Sequence, residues 1–351
     1  MAQGAVFRLR KVQVGKETTK GTSVPATELL LAEADVTANF PLYRNVHPAG
    51  IMAEHFGPTK LLAKDVAIAL RMNGVSYEQI TWMLNAAIQV PVTAGAAPYQ
   101  HVYGASAVLP SAVTGPLTPD ALTLEGRWTD GTDHEDIEIP YCMVEELTLS
   151  GQQNGELQLA ATMFGRDYVD AAVTSLTLPT DLEPIVIADG TVYINETFAA
   201  AAPTPAAGTW VAPSGGSWAG KIISFNLTVP TGLSAFHGVR GSPLFDRHME
   251  TMKTFRLTLT ALQNAAAADS PTAERVKAAA GTLRFVTLNF VGSGNRKFRF
   301  AGACKHEQGE FASIGEQDGL DVVEMSFVAH YDPTSAGILQ FAVASDQATA
   351  P

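Results

Sequence analysis

The chain has 351 residues, enough for two ordinary domains, and 46% of them are hydrophobic while only 17% are charged, a balance that suits β-sheet cores with broad faces turned toward other protein. The formal net charge is −12 and is unevenly spread: residues 1–175 hold 19 acids against 11 bases, 176–220 hold four acids, and 221–351 hold 12 of each. Gripping phosphate needs clustered Lys and Arg, so a basic nucleic-acid binder is excluded, and no run approaches the roughly 20 apolar residues of a membrane helix.

Alternation of apolar and polar residues predicts a strand over 7–14 and another over 34–40, because side chains in a strand point to opposite faces in turn. Pro41 then opens a long irregular stretch that ends at a further strand over 64–72. Ser76-Tyr77-Glu78-Gln79 has capping-box spacing, and Ile80, Met83, Leu84, Ala87 and Ile88 follow at the spacing of one helical face. Strands are expected next over 121–128, 136–139, 146–150 and 156–163, with Gln152-Gln153-Asn154-Gly155 as a hairpin turn tolerant of positive φ.

Residues 174–220 carry Pro179, Pro184, Pro203, Pro205 and Pro213 with Gly215-Gly216, a connector composition. Within them, 185–187 and 191–194 read as a small hairpin against the first domain. The second half offers strands over 222–229, 254–262, 282–291, 297–302 and 321–330. A second amphipathic helix begins at Ser270-Pro271, runs through Ala273, Val276, Ala279 and Ala280, and stops at Gly281. The tail beyond Asp332 reads as an extended arm.

The order of elements repeats. A strand precedes Pro41 and another precedes Pro230; 25 residues on, at Val66 and Phe255, a second strand leads to a helix; hairpin-paired strands follow, with Cys142 and Cys304 at comparable places. An internal duplication is the natural reading. It divides the chain into a first domain with an N-terminal arm (1–175), a connector (176–220), a second domain (221–332) and a C-terminal arm (333–351). The expected fold is mainly β: two tandem β-sandwich or half-barrel domains, each with one short flanking α-helix.

Residues able to carry chemistry do not converge. Two cysteines give no basis for a disulfide framework or a Cys-based zinc site. His47 and His55 share one loop, and His237 and His248 the equivalent loop of the second half, without a metal-ligand pattern. Asp130, Asp133, Glu135 and Asp136 form an acidic hairpin end that lacks the order of a calcium loop. Gly215-Gly216-Ser217-Trp218-Ala219 falls short of a nucleophile elbow, and no phosphate-binding glycine motif occurs. Arg296, Lys297 and Arg299 form a small basic patch, expected to pair with acids of a neighbouring subunit. Glu145 and Glu146 are adjacent in a strand and so point apart, which spoils them as a glycosidase pair. No catalytic, cofactor or metal site is assigned.

The opening Phe7-Arg8-Leu9-Arg10-Lys11-Val12-Gln13-Val14-Gly15-Lys16-Glu17, continued through Gly21-Thr22-Ser23-Val24-Pro25-Ala26-Thr27, resembles the N-terminal pattern of siphophage tail tube proteins. Glu146-Leu147-Thr148-Leu149-Ser150 with residues 157–166, and Gly220-Lys221-Ile222-Ile223-Ser224-Phe225-Asn226-Leu227-Thr228-Val229, extend the likeness over most of the chain as diffuse patterns. The resemblance implies subunits joined edge to edge into rings of six domains that stack into a hollow tube. With two domains per chain, three chains would close a pseudo-hexameric ring of a virion tail, assembled in the host cytoplasm. Tape measure protein and tail-end proteins are the implied partners, and DNA passes through the lumen without specific binding.

In that picture the loops 41–63 and 230–251 reach the adjacent ring through the apolar residues Leu42, Ile51, Phe56, Phe236 and Phe245. Ring closure would satisfy sheet edges that otherwise invite uncontrolled pairing. Three other readings stay open, the last of them an enzyme, for which the residues offer no site. One is another tube-fold component, such as a terminator, a distal tail protein or a type VI secretion tube. The second is a carbohydrate-binding or adhesin-like β-protein, which clustered exposed aromatics would favour; Trp82, Trp128, Trp210 and Trp218 are scattered instead.

Overall fold

The computed structural model describes residues 6–43, 60–95, 97–105, 119–129, 134–196, 215–238, 242–263, 270–307, 314–317, 319–333 and 337–347. In chain order the strands of the first half are β1 (Val6–Leu9), β2 (Lys11–Lys16), β3 (Glu28–Leu30), β4 (Glu33–Asn39), β5 (Leu42–Tyr43), β6 (Lys60–Leu61) and β7 (Asp65–Asn73), then helix α1 (Ile80–Ala87). There follow β8 (Val92–Ala94), β9 (Tyr99–Ala105), β10 (Leu122–Thr129), β11 (His134–Gln152), β12 (Gln158–Gly165) and β13 (Val169–Asp170). Beyond them come β14 (Gly190–Asn195), β15 (Ile222–Pro230), β16 (Leu233–Phe236), β17 (Arg247–Glu250) and β18 (Arg256–Leu262), then helix α2 (Pro271–Ala279). The chain closes with β19 (Arg284–Val291), β20 (Lys297–His306), β21 (Ile314–Gln317), β22 (Leu320–Ala329) and β23 (Leu339–Ser345). The protein is mainly β and its ladders are antiparallel.

Sequence alternation becomes alternation in burial. Along β7 the residues Val66, Ile68, Leu70 and Met72 are buried while Ala67, Arg71 and Asn73 are exposed, as a pleated strand with one face on a core requires. β18 does the same with Leu257, Leu259 and Ala261.

The neighbours of the strands follow one order twice. In the first half β4 pairs β7, β7 pairs β12, and β12 pairs the C-terminal part of β11. The N-terminal part of β11 lies between β10 and β13, and β10 pairs β2. In the second half β15 pairs β18, β18 pairs β22, and β22 pairs the end of β20 together with β21. The start of β20 lies between β19 and β23, and β19 pairs β14. Cys142 stands opposite Leu122, the first residue of β10, and Cys304 opposite Arg284, the first residue of β19. β5 with β6, and β16 with β17, each form a separate two-stranded sheet.

The two sets of strands join directly. β11 pairs β15 from Glu146↔Pro230 to Gln152↔Ser224, so a sheet runs unbroken in the order β4-β7-β12-β11-β15-β18-β22. Its inner face includes the row Met72, Leu159, Leu149, Leu227, Leu257 and Phe327, all buried.

Several expectations are corrected. The strand expected over 7–14 bends at Arg10, β1 pairing β4 and β2 pairing β10. The strands expected at 136–139 and 146–150 are one strand, β11, which turns at Pro140-Tyr141, where Tyr141 has a φ of 56°. Its displaced N–H donates to the buried Glu17 carboxylate at 2.7 Å, so the kink leaves no orphan donor. Residues 185–187 and 191–194 do not pair with each other: Ile185 exchanges backbone bonds with Val75 and Leu157, whereas β14 pairs β19 of the second half and, on the connector itself, residues 216–218. The C-terminal segment is no arm, because β23 is an interior strand between β20 and β9. Helix α1 is buried on every face, not on one.

Candidate functional site

The residues expected at the inter-ring loops scatter. Ile51 and Phe56 lie outside the described residues. Leu42 opens β5, opposite Leu61. Phe236 ends β16, half-buried, opposite Arg247. Phe245 is not exposed: it is fully buried, with ring centroids 5.1 Å from Tyr141 and 5.6 Å from Phe164. The hairpin of β16 and β17 is therefore seated on the first half of its own chain. Tyr141 and His248 share a hydrogen bond of 3.2 Å, Lys64 N–H donates to the Pro243 carbonyl at 2.8 Å, and Lys253 Nζ reaches the Ile88 carbonyl at 3.1 Å. Burial pushes the His248 pKa down, and the nearby Lys20 acts in the same sense.

The charged candidates are paired within the chain. Asp130 and Asp133 lie outside the described residues. Asp136 accepts two bonds from Arg127, at 2.6 and 2.7 Å, which hold its carboxyl below the usual range, and Glu135 accepts from the Tyr168 hydroxyl at 2.6 Å. Arg296 does not await a neighbouring subunit: it contacts Glu78, Asp181, Glu183 and Asp346 at 2.9 to 3.4 Å. Arg299 is buried and donates to Asn289 at 3.0 Å; burial brings its pKa down to about 10. Both thiols are free and buried, and burial pushes their pKa values up, which makes them inert. Among the described residues no group of three His, Cys, Asp or Glu is placed to hold a metal ion, and no helix is long and apolar enough to cross a membrane.

A different feature lies on the joined sheet. The outward face of the β4 to β22 sheet carries small polar residues in register across both halves. One row reads Arg71, Ala160, Thr148, Thr228 and Arg256; the next reads Asn73, Gln158, Ser150, Asn226 and Thr258. A third holds Gln152, Ser224, Thr260 and Glu324. A groove of about 450 Å³ runs over it, lined by Ser150, Gln158, Asn226, Thr260 and Glu324 among others. Carboxylates on this face, Glu33, Asp35, Asp65, Glu146 and Glu324, outnumber the cations Arg71, Arg256 and Lys305.

Such a face presents hydrogen-bonding groups and a slight negative bias. Period-two patterning identifies the residues that share its strands, but their alignment across the β11 and β15 junction has no signal within either half. The ends of the sheet differ: β4 is flanked by β1, whereas β21 has one neighbour among the described residues. Compared with protein-family models and with curated proteins, the sequence matches none of them.

Proposed function

We propose that this chain is a self-assembling structural subunit of a siphophage-type tail tube, with two tandem tube domains per chain and three chains per pseudo-hexameric ring. The observation that carries the reading is the junction of β11 with β15, where the edge strand of one strand set continues into the first strand of the next with the same neighbour order. A ring is the repetition of that junction until it closes, and closure removes free sheet edges. The polar, slightly acidic outer face of the joined sheet is then the lumen wall. Its carboxylates repel passing DNA, and its hydroxyl and amide groups stay hydrated without gripping phosphate.

Negative-stain microscopy of the purified chain at rising concentration tests this. Hollow tubes or six-lobed rings of three chains are the expected result. Monodisperse monomers at every concentration would sink the reading. Deleting residues 51–58 is expected to leave folded protein that forms rings but no stacked tube.

A further inference from the structure

A ring of three chains needs a junction between copies as well as the one inside each chain. Inside the chain, β15 has β18 on one side and β11 on the other, and the β11 ladder runs from Glu146↔Pro230 to Gln152↔Ser224. The strand in the corresponding place of the first half, β4, has β7 on one side. On its other side it carries the short β1, paired from Val6↔Thr37 to Leu9↔Ala34. β1 thus occupies the edge that β11 takes in the second half.

At the far end of the sheet, the strand run corresponding to β11 is the end of β20 with β21. It pairs β22 through Cys304↔Ala329 to His306↔Phe327 and through Ile314↔Val323 to Gln317↔Leu320. Among the described residues β21 has no neighbour on its other side. Among the described residues one edge is unpaired and the complementary edge is stoppered by β1. Resting on the tube reading, we propose that β1 is a placeholder strand, displaced from β4 by the β20–β21 edge of a second copy when rings close.

The local geometry permits the exchange. Among the described residues β1 pairs four of the seven residues of β4, while the ladder of β11 with β15 in the corresponding place spans seven register pairs, so the β4 edge has room for a longer ladder than β1 makes. Arg10, which follows β1, is exposed, and beyond it β2 belongs to other ladders, with β10 and β3. Removing residues 6–9 therefore leaves the pairing of β2 in place. Leu9 is fully buried, and its seat in the core keeps β1 on β4 until a competing strand arrives. A chain capped in this way stays monomeric while dilute, which restrains an acidic sheet edge from pairing at random.

A reversible staple tests the exchange. Arg8 and Asp35 stand opposite each other in the ladder, so Arg8→Cys with Asp35→Cys closes β1 onto β4 under oxidising conditions, and the buried Cys142 and Cys304 do not compete. The oxidised variant is expected to remain monomeric by light scattering and microscopy, and dithiothreitol to restore assembly. Deleting residues 1–8, which keeps Leu9, is expected to shorten the lag before rings appear several-fold, and this arm decides the matter if the staple does not close. A stapled chain that assembles as fast as its reduced form, or a deletion that abolishes rings while the parent forms them, overturns the placeholder. If the parent itself forms no rings, the tube reading fails instead.

Discussion

Helices α1 and α2 follow corresponding strands and end up in opposite surroundings. Each follows the second strand of its set, β7 or β18. α2 starts on Ser270, whose hydroxyl accepts the Ala273 N–H at 3.2 Å, whereas α1 starts behind Gln79 without a side-chain cap, and Ser76 accepts the Gln79 N–H at 3.1 Å in the turn that precedes the helix. Yet all eight residues of α1 are buried, while α2 buries only Pro271 and Glu274 and leaves Val276 69% exposed. The start of a helix is a local hydrogen-bonding event; its burial depends on what the rest of the chain lays over it. α1 is held by apolar packing and by Lys253 on its C-terminal carbonyl. α2 is held by a polar anchor in which Arg284 grips the Glu274 carboxylate at 2.6 and 3.0 Å and His306 lies at 3.2 Å.

The acids beside the two helices carry opposite shifts. Burial raises the Glu78 pKa, although Arg296 opposes it. Glu274 is buried too, but the hydrogen bonds and charges of His306 and Arg284 outweigh that burial and hold its pKa below the ordinary carboxylate value.

The contrast can be broken most sharply at α1. Leu84→Asp puts an unpaired charge into a full core and is expected to abolish cooperative folding, read by loss of near-ultraviolet circular dichroism. Next in size, Arg284→Ala leaves Glu274 buried without its main partner and should cost about 3–5 kcal/mol in urea unfolding. The acid arms of the stability curve come third. Glu274 contributes stability above the ordinary carboxylate pKa and loses it as pH falls through its lowered value, so Glu274→Gln should flatten the acid loss. Glu78, with its raised value, does the reverse: its ionisation opposes folding, stability rises as pH falls through that value, and Glu78→Gln should remove the rise. The smallest effect belongs to α2, where Val276→Asp should stay within about 0.5 kcal/mol; a loss of several kcal/mol in the free chain would show that α2 is covered as α1 is.

Much of the strand content was legible because alternation is dictated by backbone pleat. The runs at 254–262 and 321–330 appear as β18 and β22 within a few residues, and the matched positions of Cys142 and Cys304 reappear in register. Failures have definite causes. The expected strands stop at 139 and resume at 146, but β11 runs through Pro140 because Tyr141 adopts positive φ and Glu17 receives its N–H. Val276, Ala279 and Ala280 form an apolar stripe that suggests an inward face, yet Val276 points to solvent because Glu274 sets the side that docks on Arg284. Phe245 sits in a loop that reads as exposed, and Tyr141 and Phe164 of the first half bury it.

Strand periodicity, turn residues and the Ser270 cap were determined by the sequence itself, since each depends on neighbours within a few residues; the capping box expected at Ser76 gave a turn ahead of α1 and no side-chain cap on the helix. The joining of β11 to β15, the insertion of β23 between β20 and β9, and the unequal burial of the two helices were decided only in the tertiary structure. Those pairings link residues far apart along the chain, and a hydrophobic face carries no label for the surface that will cover it.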